Sequence, residues 1–320
     1  MASLKEIKTR IGSVKGTSKV TSAMKMVSSA KLHKAQGLIN AMLPYQRSLD
    51  NIVSNFLSGE TPFKSPYVLQ EGQQSRLENS LQIPAGSQKV AIIVFSSNSS
   101  LCGPFNYNVI REFTSLILDL KTEMVPDEAI EVYAIGKKVE DAVKKMEFKP
   151  VTSLNAAGSS ESTFSFQSLA AKPDYKNIFK LADHILKQYA SGVYSKVYVI
   201  YQHFKSAGVQ KVQRQLYLPL EISAYKKQQT ASSDGWLNNY IVEPSVSEVI
   251  EALLPQLLKQ KLYTCLTDSY ASEHAARTIA MQVATDNAED LIQELTVLYN
   301  KSRQQAITSE LLDIVAGSVQ

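Results

Sequence analysis

The chain has 320 residues, 44% of them hydrophobic and 20% charged, with a formal net charge of +4, which is enough apolar content to bury a sizeable core in one or two domains. Its longest apolar runs fall well short of the ~18 residues that cross a membrane, and the first residues are charged from Lys5 onward, so direct membrane insertion, a signal peptide and a cleavable transit peptide are not expected. The two cysteines, Cys102 and Cys265, are far apart in sequence, which argues against a disulfide framework and fits a reducing compartment, and no metal-ligand spacing occurs.

The charge is unevenly spread. Residues 1–34 carry eight Lys or Arg against Glu6, a net +7 against the whole chain's +4, so the remaining residues sum to −3. A cationic helix of this kind can be a solvated outer face, a surface for an acidic protein partner or a nucleic-acid binder. Nucleic acid is the weakest of these. Lys5, Lys8, Arg10, Lys15, Lys19, Lys25, Lys31 and Lys34 are spread around the helix with almost no aromatic interleaving.

In chain order, Ser3 and Glu6 form a capping box that starts a first helix, expected over residues 1–58. Leu4, Ile7, Ile11, Val14, Ser18 and Thr21 alternate by three and four along it, the spacing of a coiled-coil seam. Pro44 is expected to kink or break it. Gly59, Pro62, Pro66, Gly72, Pro84 and Gly86 mark 59–88 as a linker or loop of poor order.

Lys89–Phe95 is a short β-branched run, followed by a serine-rich loop and a helical pattern through Lys121. Ile130–Ile135 predicts a second strand, Val139–Phe148 and Asp174–Tyr189 two helices, and Lys196–Phe204 a third strand. Val209–Leu218 predicts a fourth, antiparallel by its short connection. Residues 89–218 therefore predict a Rossmann-like α/β domain with a mostly parallel sheet and one hairpin.

Residues 219–244 form a second polar excursion, and Pro244-Ser245 caps a last helix over 245–320. From Gln256 to Ala316 the chain runs 61 residues without glycine or proline. Ala284, Ala288, Leu291, Leu295 and Leu298 step by four, three, four and three, a second coiled-coil seam. Small residues flank both seams: Ser28, Ser29 and Ala30 on the first helix, Ala271, Ser272, Ala275, Ala276 and Ala280 on the second. If the inserted domain returns the chain near its entry, the two helices pair antiparallel. The fold class is α+β: a long antiparallel coiled coil of the terminal helices with an α/β domain inserted, a stalk on a globular foot.

Chemistry finds little support. Gly103 stands alone where a dinucleotide fingerprint needs three glycines, and no G-x-x-x-x-G-K-[ST] occurs. His33, His184, His203 and His274 lie in unrelated elements and read as surface or helix-face residues. Asp286, an acid close to the seam, reads as a cross-helix hydrogen bond or ion pair. No cofactor, metal site or catalytic residue is expected.

Two motifs carry a family resemblance. One is Leu4-Lys5-Glu6-Ile7-Lys8-Thr9-Arg10-Ile11 with Ala23-Met24-Lys25-Met26-Val27. The other is Met281-Gln282-Val283-Ala284-Thr285-Asp286-Asn287-Ala288 with Tyr299-Asn300-Lys301-Ser302-Arg303-Gln304. The chain resembles the gamma subunit of the rotary ATP synthase, more weakly in the middle through Leu101-Cys102-Gly103 and Phe105-Asn106, and it has Ser97-Asn98-Ser99-Ser100 where the family usually shows Ser-Asp-Arg-Gly. The resemblance implies a non-catalytic central-stalk rotor that couples proton-driven rotation of a membrane ring to ATP synthesis. It implies a ring of three alpha and three beta subunits around the coiled coil, and the epsilon subunit and membrane rotor ring at the foot. By the same resemblance Arg303 and Gln304 contact the catalytic subunit, Arg277 makes a second contact, Lys25 meets an acidic loop on beta, and Leu311, Leu312, Ile314, Val315 and Val319 form an apolar bearing. The implied location is peripheral, at the cytoplasmic face of a bacterial inner membrane.

Overall fold

A computed structural model describes residues 3–58, 65–69, 89–154, 164–221 and 242–318. Helix α1 spans Leu4–Ser58. The Ser3 amide donates to Glu6 Oε2 at 2.8 Å and the Glu6 amide donates to Ser3 Oγ at 3.3 Å, the reciprocal capping box. The helix is not broken at Pro44 but runs on through it. Pro44 and Asn40, the residue whose carbonyl loses its amide partner, are both exposed, so water can take that bond. The next turns are anchored by Leu49, Val53 and Phe56, which are buried.

Strand β1 (Val68–Leu69) falls inside the stretch expected to be loop, and it pairs in parallel with β9 (Leu220–Glu221) at the start of the second polar excursion. The rest of both excursions, 59–64, 70–88 and 222–241, lies outside the described residues. The main sheet is five-stranded in the order β4-β3-β2-β7-β8. It is built from β2 (Lys89–Phe95), β3 (Ile130–Ile135), β4 (Pro150–Val151), β7 (Tyr194–Ser206) and β8 (Val209–Leu218). All neighbours are parallel except β7 and β8, which form the expected hairpin. β2 sits at its centre, and from Val90 to Phe95 every residue is buried, as a continuous apolar run with covered faces requires.

Helix α2 (Phe105–Thr122) follows β2. Helix α3 (Lys137–Lys145) begins and ends before the expected Val139–Phe148. Gly136, at φ +106°, makes the tight entry, and Glu147, at φ +65°, ends the helix while the Phe148 amide donates back to Val143 O. Sequence reading did not find β5 (Ser153–Leu154), its antiparallel partner β6 (Phe164–Ser165) or α4 (Phe166–Ala171). All are too short to show a period. α5 is Tyr175–Ala190 and α6 is Val246–Ser318. At the start of α6, Ser245 Oγ accepts from the Glu248 amide.

The chain divides into two compact units, Leu32–Ala276 and the pair Met1–Lys31 with Arg277–Gln320. In the first, alternate residues of the strands feed two cores. Ala91, Ile93, Phe95, Tyr133, Ile135, Val197 and Val199 pack with α4, α5, the 49–56 stretch of α1 and the 250–266 stretch of α6. Val90, Ile92, Val94, Val132 and Ala134 pack with α2 and α3 on the other face. Leu32 and Ala35 meet Ala271 and Ala275, where small residues let the two helix backbones approach.

Candidate functional site

In the second unit α1 and α6 pair antiparallel. The two threonine hydroxyls Thr21 Oγ1 and Thr285 Oγ1 lie 2.7 Å apart, and both residues are buried. That register places Ile11 level with Leu295 and Ile7 level with Tyr299. Ile7, Ala288 and Leu295 are buried, and Leu4, Ile11, Val14, Ala284 and Leu291 are half-buried. Leu298 does not lie in the seam. It is 46% exposed, and the half-buried side passes instead through Tyr299, Ser302 and Ala306. A 3.6-residue helix drifts from a strict three-four alternation, and the polar face of Tyr299 hid the shift. Asp286 is also off the seam. It accepts from Gln282 Nε2 on its own helix at 2.6 Å, and the cross-helix bond belongs to its neighbour Thr285.

Beyond the level of Leu4, where α1 begins, α6 runs on to Ser318. Ile307, Leu311, Leu312, Ile314 and Val315 are exposed there, as are Arg303 and Gln304 one turn earlier. Lys301, Gln304, Gln305, Thr308, Ser309 and Leu312 line a shallow groove along one face. Val319 lies outside the described residues. Lys25 is half-buried, while Lys5, Lys8, Arg10, Lys15, Lys19 and Lys31 are exposed. Arg277, which the resemblance implies as a second contact, is 6% exposed. Its neighbours Ala271, Ser272, Glu273, His274, Ala275 and Ala276 are buried as well, so this stretch of α6 is enclosed on more than one side.

The strand ends of the α/β unit are where a nucleotide would dock in such a sheet. They are closed. The Lys137, Lys138 and Val139 amides, the free donors at the start of α3, are taken by Asn98 Oδ1, Ser97 O and Ser96 Oγ at 3.2, 3.2 and 3.1 Å. Asn98 also donates to Gln167 O at 2.7 Å, so the amide standing where the family usually has Asp bridges the starts of α3 and α4. A side chain at Gly136 would put its Cβ 2.3 Å from Ser96 O, which leaves no gap at this corner. Phe95, Ser96, Ile135 and Ala170 face Leu266, Ser269, Tyr270 and Glu273 of α6 across a cavity of about 10 Å³, room for one water at most.

The histidines are not all surface residues. His274 is buried against Tyr270, ring centroids 4.4 Å apart. His203 reaches Asp268 at 2.7 Å, and burial raises the Asp268 carboxyl above its ordinary range while His203 opposes that shift. Burial likewise pushes the Cys265 thiol up to about 12, so it is not poised as a nucleophile. Sequence reasoning missed this polar stretch of α6 because Thr267, Asp268, Ser272 and His274 look like a solvated face. The available signal was the absence of leucine between Leu266 and Leu291 in a helix otherwise rich in it.

A pair of antiparallel terminal helices and a mostly parallel α/β unit whose strand ends are closed define the class of this α+β protein. The ATP synthase family profile matches residues 3–319. ATP synthase gamma chains of Bacteroides fragilis (49% identical over 319 residues, 100% of each chain) and Parabacteroides distasonis (41%, 99% of each) are similar throughout. The fold is shared with a chain of the Euglena gracilis mitochondrial ATP synthase rotor (TM-score 0.56, 18% identity, 95% of this chain and 98% of that one). It is shared too with one from the central stalk of the Tetrahymena thermophila enzyme (0.52, 20%, 83% and 99%). The chain belongs to the ATP synthase gamma-chain family.

Proposed function

We propose that the chain is the axle of its ATP synthase and performs no chemistry itself. In this reading proton flow turns a membrane ring, the ring turns the α/β unit, and the paired helices force each catalytic site of an alpha and beta ring through its states in turn. The observation that carries it is the end of α6: a helix that extends past its only partner in the unit and bares Leu311, Leu312, Ile314 and Val315 beside Arg303 and Gln304. Exposed apolar residues so placed call for an enclosing partner, and the guanidinium of Arg303 suits carboxylate contacts on it. The cationic outer side of α1, with Lys25 at its margin, fits an acidic loop. Arg277 does not belong to this surface, since it is buried. What supports the absence of chemistry is the closed corner at Ser96–Asn98.

The epsilon subunit and the membrane ring are the proposed partners of the α/β unit. No described helix is long and apolar enough to cross a membrane, and the proposed location is peripheral, at the cytoplasmic face of the inner membrane. The test is co-expression with the alpha and beta chains of the same organism, beside calorimetry of the isolated chain with Mg-ATP. One copy of this chain with three of each partner, and no heat of ATP binding by the chain alone at about millimolar concentration, is the expected result. Micromolar binding by the lone chain with no alpha or beta recovered overturns it.

A further inference from the structure

An axle has to be gripped, and apolar packing alone grips poorly. Ile250, Leu254, Leu257, Leu258, Leu262 and Leu266 of α6 lie in the core of the α/β unit. Such contacts are non-directional, and packed helices can slide or ratchet by one ridge or one turn. Directional bonds at a helix surface oppose that motion, because rolling the helix by one residue, 100°, breaks each of them.

The α/β unit supplies such bonds from every side. From β8, Tyr217 Oη donates to Leu258 O at 2.8 Å. From α5, Asp183 pairs with Lys259 at 2.5 Å. From α1, Gln46 Oε1 accepts from Thr264 Oγ1 at 3.1 Å. From β7, His203 Nδ1 meets Asp268 Oδ2 at 2.7 Å and Gln202 O accepts from Ser272 Oγ at 3.0 Å. Asp268 and Ser272 are four apart, so they share one face of α6, and adjacent residues of a single strand hold both. Gln202 reaches in the other direction as well, its Nε2 donating to Phe105 O, at the start of α2, at 2.7 Å.

Tyr217, Gln202, Asp268 and Ser272 are all less than 7% exposed. Buried bonds are stronger than solvated ones and costly to leave unmade, so a small rotation of α6 in its seat meets a steep restoring force. We propose that these ties fix the rotational register of α6 in the α/β unit, and that Tyr217, Gln202 and His203 are the positioning residues through which torque enters the long helix. The inference rests on the axle reading above. The ties are spread from Leu258 to Ser272, about 21 Å of helix, and this length turns a set of single bonds into a clamp.

The test uses the chain assembled with alpha and beta. A bead is fixed to Lys149→Cys on the exposed surface of the α/β unit, and the angular distribution of the bead is recorded in stalled and ATP-driven states. Tyr217→Phe with Ser272→Ala removes two hydroxyls and almost no volume. ATP hydrolysis should be unchanged, while the population of orientations outside the wild-type width rises about fivefold, the factor set by a loss of about 1 kcal/mol. His203→Leu should widen the distribution too. Asp268→Asn, which can still bond His203, should keep the wild-type width. Unchanged width in the double variant and in His203→Leu overturns the clamp while leaving the axle reading intact. Faster hydrogen exchange throughout β2, β3 and β7 in the double variant also overturns it, since the widening would then report a loosened fold. A wild-type assembly that hydrolyses ATP without turning the bead overturns both readings.

Discussion

The same helix lives under two regimes. From Ile250 to Leu266 α6 is surrounded, with leucines in the core of the α/β unit and polar ties to β8, α1 and α5. From Met281 to Ala306 it has one half-buried stripe and an exposed remainder. Both stretches are helical throughout, so the difference lies in what each does with its surface. A surrounded helix can spend leucine on every turn and be fixed by many neighbours. A helix in a two-membered pair must reserve most of its surface for water or partners, and its stripe of Ala284, Thr285 and Ala288 favours close backbone approach over buried area. The lesson is that buried packing is concentrated in the α/β unit, whereas the paired helices leave most of their surface exposed.

One substitution at three positions breaks or upholds this contrast. Leu262→Ala, at a site with 0% exposure, should cost about 2–5 kcal/mol, the range for a leucine cavity that cannot collapse. Leu295→Ala, 7% exposed but in a narrow seam open to water, should fall near the low end of that range, about 2 kcal/mol. Leu298→Ala, 46% exposed, should change stability by no more than about 0.5 kcal/mol. Urea unfolding of the three variants reads the series directly. Equal costs at Leu295 and Leu298 would mean that the seam runs where the sequence spacing first put it.

A smaller effect sharpens the register. Thr21→Val keeps the shape and removes one hydroxyl of the buried Thr21–Thr285 pair. Thr285 retains its bond to Met281 O, so the loss should be about 1 kcal/mol. If Thr21→Val and Thr285→Val, made singly and together, give additive costs, the two hydroxyls do not interact and the antiparallel register is wrong.

The largest features were legible in the sequence for physical reasons. A strand buried on both faces must be apolar throughout, so Lys89–Phe95 and Ile130–Ile135 announced themselves, and a capping box at Ser3 and Glu6 needs those residue types at that spacing. Short elements such as β1, β5 and α4 carry no period to read. Pro44 does not break α1, because a proline's cost depends on whether the freed carbonyl faces water, which sequence does not record. Leu298 misled because the choice between it and Tyr299 turns on a rotation of 100°. Arg303 and Gln304 stood out by family motif, and both are exposed. The ties at Gln202, His203, Asp268 and Ser272 were invisible because each joins residues more than sixty positions apart.

Trimming the exposed end of α6 should leave the fold nearly untouched and act on coupling alone. Arg303→Ala with Gln304→Ala removes side chains from an open helix face, so its unfolding free energy should stay within about 0.5 kcal/mol of wild type. ATP synthesis by the reconstituted complex should nevertheless fall. Normal synthesis and hydrolysis in the double variant would remove both residues from the proposed contact.

The smallest effect is acid sensitivity, and it should belong to one unit only. His33, His184, His203 and His274 all fall within Leu32–Ala276, and the paired-helix unit has no histidine. His184 is held below its ordinary value of 6.5, chiefly by burial, with Lys187 pushing the same way and Glu131 opposing. Its ring also packs edge-on against Tyr133, centroids 6.4 Å apart. Between the folded midpoint and 6.5 the unfolded chain binds more protons at this site than the folded chain, so stability rises with pH across that window and is lost as pH falls through it. Replacing His184 by Gln removes the titration. The wild type should therefore lose stability relative to His184→Gln as pH drops from 7 toward 5.5. Hydrogen exchange would place that loss in the amides of α5 and β3 and leave those of residues 3–31 and 277–318 unchanged. Parallel pH curves for the two proteins would mean that the ring is as well solvated in the folded chain as in the unfolded one.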